Sequence, residues 1–347
     1  MTIFGPTASL LREADITLVN LEGVICDVDL PPIPGKVEAG SGGHLHMPPG
    51  TENGLVEVGV DAVSLANNHA LDYGEEGLRQ CIQTLKVSGI SHAGAGKNIE
   101  EAYSVTIVER KGFRVGLLSY TSVYVPVSFP AGVDKPGVAV VAITTAYEAP
   151  YNVAYQPGIP ARAITYAKTE HLERLLTDIQ TSRDKCDFLI IGFHWGLTSR
   201  GIARSLRLPV ELCPCYIADY QEDLARKAID AGADLVWGHH PHELQGMEIY
   251  KGKLICYSLG NFALDGTGWV RPVELDSAIV RCYSDDGKNW RYTFTPTQAR
   301  NWQNRDVDFP SAEARKRILD FIAFHSNKYG TGFKDQGREV EIRAARD

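Results

Sequence analysis

The sequence predicts an α/β fold built on a mostly parallel sheet covered on both faces. Three observations predict it. Short apolar runs alternate with helix-like segments through the first two thirds of the chain. Several of those runs stop at His, Asn or Glu, as strands do at the carboxyl edge of an open α/β sheet. Glycine supplies 33 of 347 residues, above its usual share, which suits many tight strand-to-helix turns.

Taken in order, DITLVNL (Asp15–Leu21) and DAVSLA (Asp61–Ala66) read as strands, and a helix is expected over Glu75–Ser88. Ser104–Tyr120 reads as a hairpin turning at Lys111-Gly112. Thr121–Ala167 is rich in Pro and Gly with little periodicity, and is expected to be an irregular loop near the site. Helical spacing over Lys168–Arg183 leads into the strand DFLIIGF (Asp187–Phe193). A second helix over Gln221–Ala231 leads into DLVWG (Asp234–Gly238). The last third turns antiparallel. Met247–Gly260 is a hairpin with another Lys-Gly turn, Val280–Thr295 is a further hairpin turning at Asp285–Lys288, and Ser311–Asn327 is a terminal helix. This divides the chain into one domain over 1–300, interrupted at 121–167, and a C-terminal helix and tail over 301–347.

Composition narrows the function. Apolar residues are 44 % and charged residues 22 %, ordinary globular values, so a chain of this length can bury a sizeable core. The net charge of −8 leaves no general basic face for nucleic acid or an anionic membrane. No apolar run reaches the roughly 18–20 residues of a membrane span. The opening MTIFGPTASLLREAD lacks the basic, apolar and small-residue regions of a secretory signal. Seven cysteines without a CxxC pair suggest reduced thiols, and with the missing signal they point to the cytoplasm.

The chemistry lies at the strand ends. The first strand runs into Leu21-Glu22, the second into Asn67-Asn68-His69, the third into His194-Trp195-Gly196, and DLVWG into His239-His240-Pro241-His242. Several buried histidines at one rim need hydrogen-bond partners and repel one another when charged. A cation relieves both problems, because neutral imidazoles donate lone pairs to it. His240 and His242 are two apart around Pro241, and in extended backbone both rings face one metal centre or two adjacent ones. His239 then points away, as an outer or surface residue. Imidazole, amide oxygen and carboxylate suit zinc, manganese or iron better than calcium. Taken singly, each residue has an ordinary role: His194 as a hydrogen-bonded core histidine, Asn68-His69 as turn chemistry, Glu22 as a solvated carboxylate.

Other motifs carry less. His44-x-His46 sits in a Pro/Gly-rich loop and is not expected to bind metal. The CPC at Cys213–Cys215 has no second cysteine pair. GAGKN at Gly94–Asn98 lacks the third glycine of GxGxxG and the GK[ST] of a P-loop, and reads as a turn before a helix. There is no GxSxG nucleophile elbow. Trp195 and Trp237 read as core aromatics.

The strings ADITLVNLEG, DAVSLANNHALDYGEEGL, HAGAGKNIEEA, FLIIGFHWG and GADLVWGHHPHELQGMEIYKGKLICYSLGNF resemble the CapA family, associated with poly-γ-glutamate capsule synthesis and similar to calcineurin-like metallophosphatases. The resemblance runs from about Ala14 to Phe262 and is most specific in NNHxxDxG and in GHHPH with SLGNF. It implies a four-layer αββα sandwich of mixed sheets with helices outside. It also implies one or two divalent ions (Mn, Fe or Zn). Asn68 and His194 would be ligands, and His240 and His242 would serve one metal each. Glu22 would be the bridging carboxylate, with Asn20 as the neighbouring candidate. His69 would meet the phosphate, with Asp72 orienting its ring, and Asn67 and Asn261 are expected on the substrate. Such relatives open with a strand ending in Gly-Asp, whose Asp binds the first metal. Here IFGPTASLLREAD corresponds to the segment after that motif, so that strand and ligand are expected to be missing. Family members can be extracellular or membrane-anchored. The implied activity is metal-dependent hydrolysis of phosphoester or phosphoanhydride bonds in an anionic small molecule or polymer. Non-catalytic polymer handling in capsule assembly and amide hydrolysis or γ-glutamyl transfer are the alternatives.

Overall fold

The architecture comes from a computed structural model, which describes residues 3–36, 43–125, 128–149, 155, 158–207, 209, 216–264, 275–299 and 306–344. Three sheets organise them. The first is parallel and runs β1 (Leu18–Asn20), β2 (Ala62–Ser64), β3 (Ser91–Ala93). The second contains β4 (Thr106–Arg110), β5 (Phe113–Thr121), β6 (Phe188–His194), β7 (Leu235–His239), β8 (Met247–Tyr250) and β9 (Lys253–Cys256). Its spatial order is β8-β9-β7-β6-β5-β4, with a parallel centre and an antiparallel hairpin at each edge. The third is antiparallel: β10 (Asp276–Tyr283), β11 (Arg291–Ala299), β12 (Thr331–Asp335) and β13 (Val340–Ala344), in the order β10-β11-β13-β12, with Val307–Asp308 against β11.

Four helices of 13–15 residues cover these sheets: α1 (Gly74–Val87), α2 (Thr169–Arg183), α3 (Asp219–Ala231) and α4 (Ala312–Ser326). Each buries one stripe at helical spacing, as in Leu78, Cys81 and Leu85 of α1 or Ala314, Ile318 and Ile322 of α4.

Alternation along β6 decides what packs on which face. All seven of its residues are buried, as expected for a central parallel strand. Leu189, Ile191 and Phe193 join Leu175 and Ile179 of α2 and Leu224 and Ala228 of α3. Phe188 and Ile190 face the other way and join Phe294, Ile342 and Ile318 from the antiparallel sheet and α4. The three-stranded sheet divides likewise: Val63 packs with Leu78 and Leu85 of α1, while Ala62 shares a cluster with Leu117 of β5. Each fully buried Leu, Ile or Phe contributes roughly 1.5–3 kcal/mol relative to exposure. A mixed α/β sandwich with helices outside the sheets is the result.

Both Lys-Gly turns take left-handed backbone, with φ 53° and 78° at Lys111-Gly112 and 50° and 78° at Lys251-Gly252, the pattern of a two-residue hairpin loop. GAGKN is a turn before a helix, as read: Asn98 Oδ1 accepts the Glu101 amide at 2.9 Å and caps Ile99–Ala102.

Three expectations change. Thr121–Ala167 is not irregular throughout. Gly137–Val138 pairs with Ala95–Gly96, Ile143–Glu148 forms an antiparallel ladder with Arg162–Ala167, and Phe129, Val138 and Val140 are core residues. The end of the chain is more than a helix and tail, because β13 pairs with β11 and buries Val340 and Ile342. Its alternation was hard to read because β12 contributes only Phe333 to the core. Third, the expected sheets carry the unforeseen short strand β3.

Among the described residues no strand precedes Leu18. The rim of Glu22, Asn68 and His240 opens into a cavity of about 2490 Å³, also lined by Leu18 of β1, Ile190 of β6 and Val280 of β10. No described helix is long and apolar enough to cross a membrane. Cys26, Cys81, Cys186, Cys256 and Cys282 are free thiols, and burial pushes Cys81 up to about 11. Cys213–Cys215 lies outside the described residues.

Candidate metal centre

Register brings the strand ends together. β6 pairs with β7 so that His194 lies opposite His239, and with β5 so that His194 lies opposite Thr121. The loop after β7 therefore starts beside His194. In the three-stranded sheet Asn20 lies opposite Ser64, and the Leu21 amide donates to the Ser64 carbonyl at 3.1 Å. Glu22 and Asn67-Asn68-His69 thus leave one edge together. Ser64 Oγ and Ser119 Oγ, 2.5 Å apart, tie that sheet to β5. Gly238 is required at the close approach to the next strand end, because a Cβ there would lie 2.2 Å from the Tyr257 carbonyl oxygen and 2.6 Å from Trp195 Nε1.

Five expected ligand residues converge. His194 Nε2 lies 2.6 Å from Asn68 Oδ1 and 3.2 Å from His240 Nδ1. Glu22 Oε1 lies 3.6 Å from both His194 Nε2 and His242 Nε2, and 3.9 Å from His69 Nε2. Ligand atoms of Glu22, His194 and His240 all fall within 4.8 Å of one another. Yet Glu22 Oε1 is buried with no hydrogen-bond partner among the described residues, as is Asn20 Oδ1 close by in sequence. A buried carboxylate oxygen facing imidazole nitrogens, without a hydrogen bond, is what a cation-binding donor set looks like before the cation. The residues present therefore fit a divalent metal.

His240 and His242 reach this cluster by a route the sequence argument did not foresee. Neither is extended: φ is 100° at His240 and 58° at His242, both left-handed and strained for a non-glycine residue. Their ring centroids are 5.9 Å apart. His242 Nδ1 donates to Asn261 Oδ1 at 2.8 Å, which leaves the Nε2 lone pair toward Glu22. Asn261, expected on the substrate, lines the same cavity and also braces His242, because its Nδ2 donates to the His242 carbonyl at 3.2 Å. Asn67, also expected on the substrate, is enclosed. It is fully buried, its Nδ2 donates to the Leu21 carbonyl at 2.8 Å and its Oδ1 accepts the His69 amide at 3.0 Å, so neither end is open to a substrate.

Burial holds the rings neutral. It drives His194 well below the ordinary imidazole value, helped by His240, His239, His242 and His69. His240 is pushed down to about 3, by burial first and then by His242 and His69. His239, edge-on to Trp237 at 4.3 Å, also falls to about 3 through burial. An unfolded histidine titrates near 6.5, so between about 6.5 and 3 the unfolded chain binds more protons than the folded one. The stability these two rings contribute is complete above that window and is lost on acidification through it. The metal-free protein should lose up to about 1.4 kcal/mol per pH unit for each ring. Urea midpoints measured from pH 7 to pH 4 test this, and a flat profile contradicts it.

His69 sits at the rim with a different environment. It is buried, and its Nδ1 donates to Asp72 Oδ2 at 2.6 Å, so Asp72 orients the ring and Nε2 faces Glu22. One residue absent from the sequence reading completes this corner. Lys36 is fully buried and donates to Asp72 Oδ1 and to the Asn68 carbonyl, the latter at 2.8 Å. Val123, Tyr124 and Val125, from the segment expected near the site, line the same cavity as His69.

The remaining histidine pair lies elsewhere in bonding terms. His44 Nε2 is 2.9 Å from the Ile33 carbonyl oxygen and His46 Nε2 is 2.9 Å from that of Cys26. Each ring donates there, so His44→Ala should leave metal content unchanged, as elemental analysis of the variant would read directly.

An α/β sandwich that gathers histidine, asparagine and glutamate at the carboxyl ends of two sheets defines the class of protein. The chain belongs to the bacterial capsule synthesis protein family PGA_cap, whose pattern matches residues 1–206 and 212–266. It is 33 % identical over 297 residues to the uncharacterized protein y4sH of Sinorhizobium fredii, covering 76 % of this chain and 61 % of that one. It is 31 % identical over 300 residues to the capsule biosynthesis protein CapA of Bacillus anthracis, covering 86 % and 62 %. It is 28 % identical over 243 residues to the PGA biosynthesis protein CapA of Bacillus subtilis, covering 70 % and 52 %. The chain thus spans about three fifths or less of the length of these relatives.

Proposed function

We propose that the cluster is a hydrolytic metal centre, acting on phosphoester or phosphoanhydride bonds of an anionic substrate in the making of a poly-γ-glutamate capsule-type polymer. The polymer assignment rests on the family and on the Bacillus relatives named for capsule and PGA biosynthesis. In this reading the layers form the four-layer metallophosphatase sandwich. The observation that carries the chemistry is Glu22 Oε1, buried, without a hydrogen bond, and 3.6 Å from two imidazole nitrogens.

Glu22, Asn68, His194, His240 and His242 would hold one or two ions of manganese, iron or zinc. Such an ion, when bound, supplies positive charge for substrate oxygens and lowers the pKa of a coordinated water. The chain's own residues do the rest. Burial keeps His194 and His240 neutral, so their lone pairs stay available at neutral pH. Asn261 fixes the His242 tautomer. Asp72 takes the His69 Nδ1 proton as a hydrogen bond and aims Nε2 at the rim. From there Nε2 of the doubly protonated ring can hand its proton to a leaving oxygen within about 2.6–3.2 Å, which leaves the neutral Nδ1–H ring bonded to Asp72. Apolar residues, among them Ile190 and Val280, share the lining of the cavity with these groups.

The test is elemental analysis of the purified protein together with turnover of p-nitrophenyl phosphate, nucleotide esters and a γ-glutamyl anilide. Bound metal with phosphate release supports the proposal. Anilide cleavage alone would make the centre an amide hydrolase or γ-glutamyl transferase. Metal without turnover would make the chain a polymer-handling component, and a metal-free, inactive protein would remove the metal reading altogether.

A further inference from the structure

Lys36 is the buried charge that the proposed chemistry leaves unexplained. It follows a turn at Gly35 (φ 81°), and its side chain is 1 % exposed. Burying an ammonium costs several kcal/mol unless its donors are used. Here they are. Nζ donates to Asp72 Oδ1 and to the Asn68 carbonyl at 2.8 Å, lies 3.1 Å from His69 Nδ1, and sits 5.8 Å from the centre of the Phe129 ring. Burial pulls its pKa down, while Asp72 and Glu22 work against that.

The other bonds around it show what the ammonium organises. Asp72 is fully buried, and its Oδ2 accepts both the His69 ring at 2.6 Å and the Leu45 amide at 2.7 Å. The Ile33 amide donates to the Asp72 carbonyl at 2.9 Å. Segments on either side of Lys36 therefore wrap Asp72, and among the described residues Oδ1 is left to the lysine. His69 Nδ1 already donates to Asp72, so Lys36 cannot donate to it without displacing that proton. Its two productive bonds run to Asp72 and to the backbone of Asn68, the residue whose side chain meets His194 at 2.6 Å.

We propose that Lys36 is a positioning residue: one buried ammonium pins the Asp72 carboxylate that sets the His69 tautomer and, through the Asn68 carbonyl, locks that ring to the neighbouring ligand residue. The role in turnover rests on the hydrolytic reading above, while the role in orienting His69 does not. An alkyl group in place of the ammonium frees Oδ1 and lets the carboxylate turn. The Nδ1–H of His69 then loses its fixed acceptor, and Nε2 loses its aim.

The measurement is proton NMR of the metal-free protein at neutral pH. The His69 Nδ1–H, bonded to a carboxylate and shielded from water, should give a resolved downfield imidazole signal, assigned by its loss in His69→Gln. Lys36→Met keeps the stem over Phe129 and should broaden or remove the signal, whereas Phe129→Leu, which disturbs the same pocket but not the ammonium's acceptors, should keep it. In the metal-loaded protein Lys36→Met should lower kcat about 10–100-fold, the range for outer partners of a metal site, with KM little changed. If Lys36→Met gives no cooperative melt, Lys36→Gln is read in the same way. A folded variant with the wild-type signal and kcat overturns the inference and leaves the hydrolytic proposal standing. A signal that depends on Lys36 in a protein that neither binds metal nor hydrolyses leaves the positioning role standing and overturns the hydrolytic proposal.

Discussion

His240→Ala and His242→Ala should each lose at least one bound ion while the chain stays folded. Both side chains reach the cluster from left-handed backbone that strains any residue with a Cβ, so alanine keeps the strain that histidine already carries. His240 crowds against the His194 ring at 3.2 Å and the Glu22 carboxylate, with His242 and His69 nearby. Removing one ring from the metal-free protein relieves that crowding, so the urea midpoint should change little. With metal the outcome differs. A lost ligand removes a direct bond to the ion, and activity should fall by more than the roughly 10–100-fold typical of losing an outer partner. Calorimetric titration with Mn²⁺ or Zn²⁺ would read the loss. Wild-type affinity in both variants would mean that the ions, if any, bind elsewhere.

The largest effect on stability is expected at Trp195. It is fully buried next to His194, stacked on Phe193 at 4.5 Å, and its Nε1 donates to the Tyr257 carbonyl at 2.9 Å. That bond joins the end of β6 to the chain leaving β9. Trp195→Ala should cost about 3–5 kcal/mol. Trp195→Phe keeps most of the packing but leaves the Tyr257 carbonyl without its donor, which costs about 1–3 kcal/mol. The alanine variant should also bind metal more weakly, because Gly238 is packed against Trp195 Nε1 and the His239–His242 loop follows it. Denaturant melts separate the two substitutions, and equal midpoints would show that the hydrogen bond and the ring packing are not what hold this corner.

How much of this was legible before the structure depends on where each signal resides. The strand ends were legible because long apolar runs such as FLIIGF stop at a ligand-type residue, and that pattern survives without knowledge of register. The pairing of His194 with His239 was not legible, since register is a property of two strands and not of either sequence alone. The rings of His240 and His242 converge as the spacing suggests but from left-handed backbone and not extended backbone, a conformation that HHPH does not announce. In Asn67-Asn68-His69 the residue types suggested chemistry but not its division. Only the neighbours show that Asn67 braces backbone while Asn68 meets His194. Lys36 left no trace because it lies in PPIPGKVEAG, which has no helical or strand period, and its function arises from Asp72, which is 36 residues away in sequence.

Crystals soaked in Mn²⁺ and measured for anomalous scattering would test the metal centre most directly. One or two peaks, each within about 2.0–2.3 Å of donor atoms from Glu22, Asn68, His194, His240 and His242, are the expected result. No peak at that rim, or a peak at His44 and His46 instead, would contradict it.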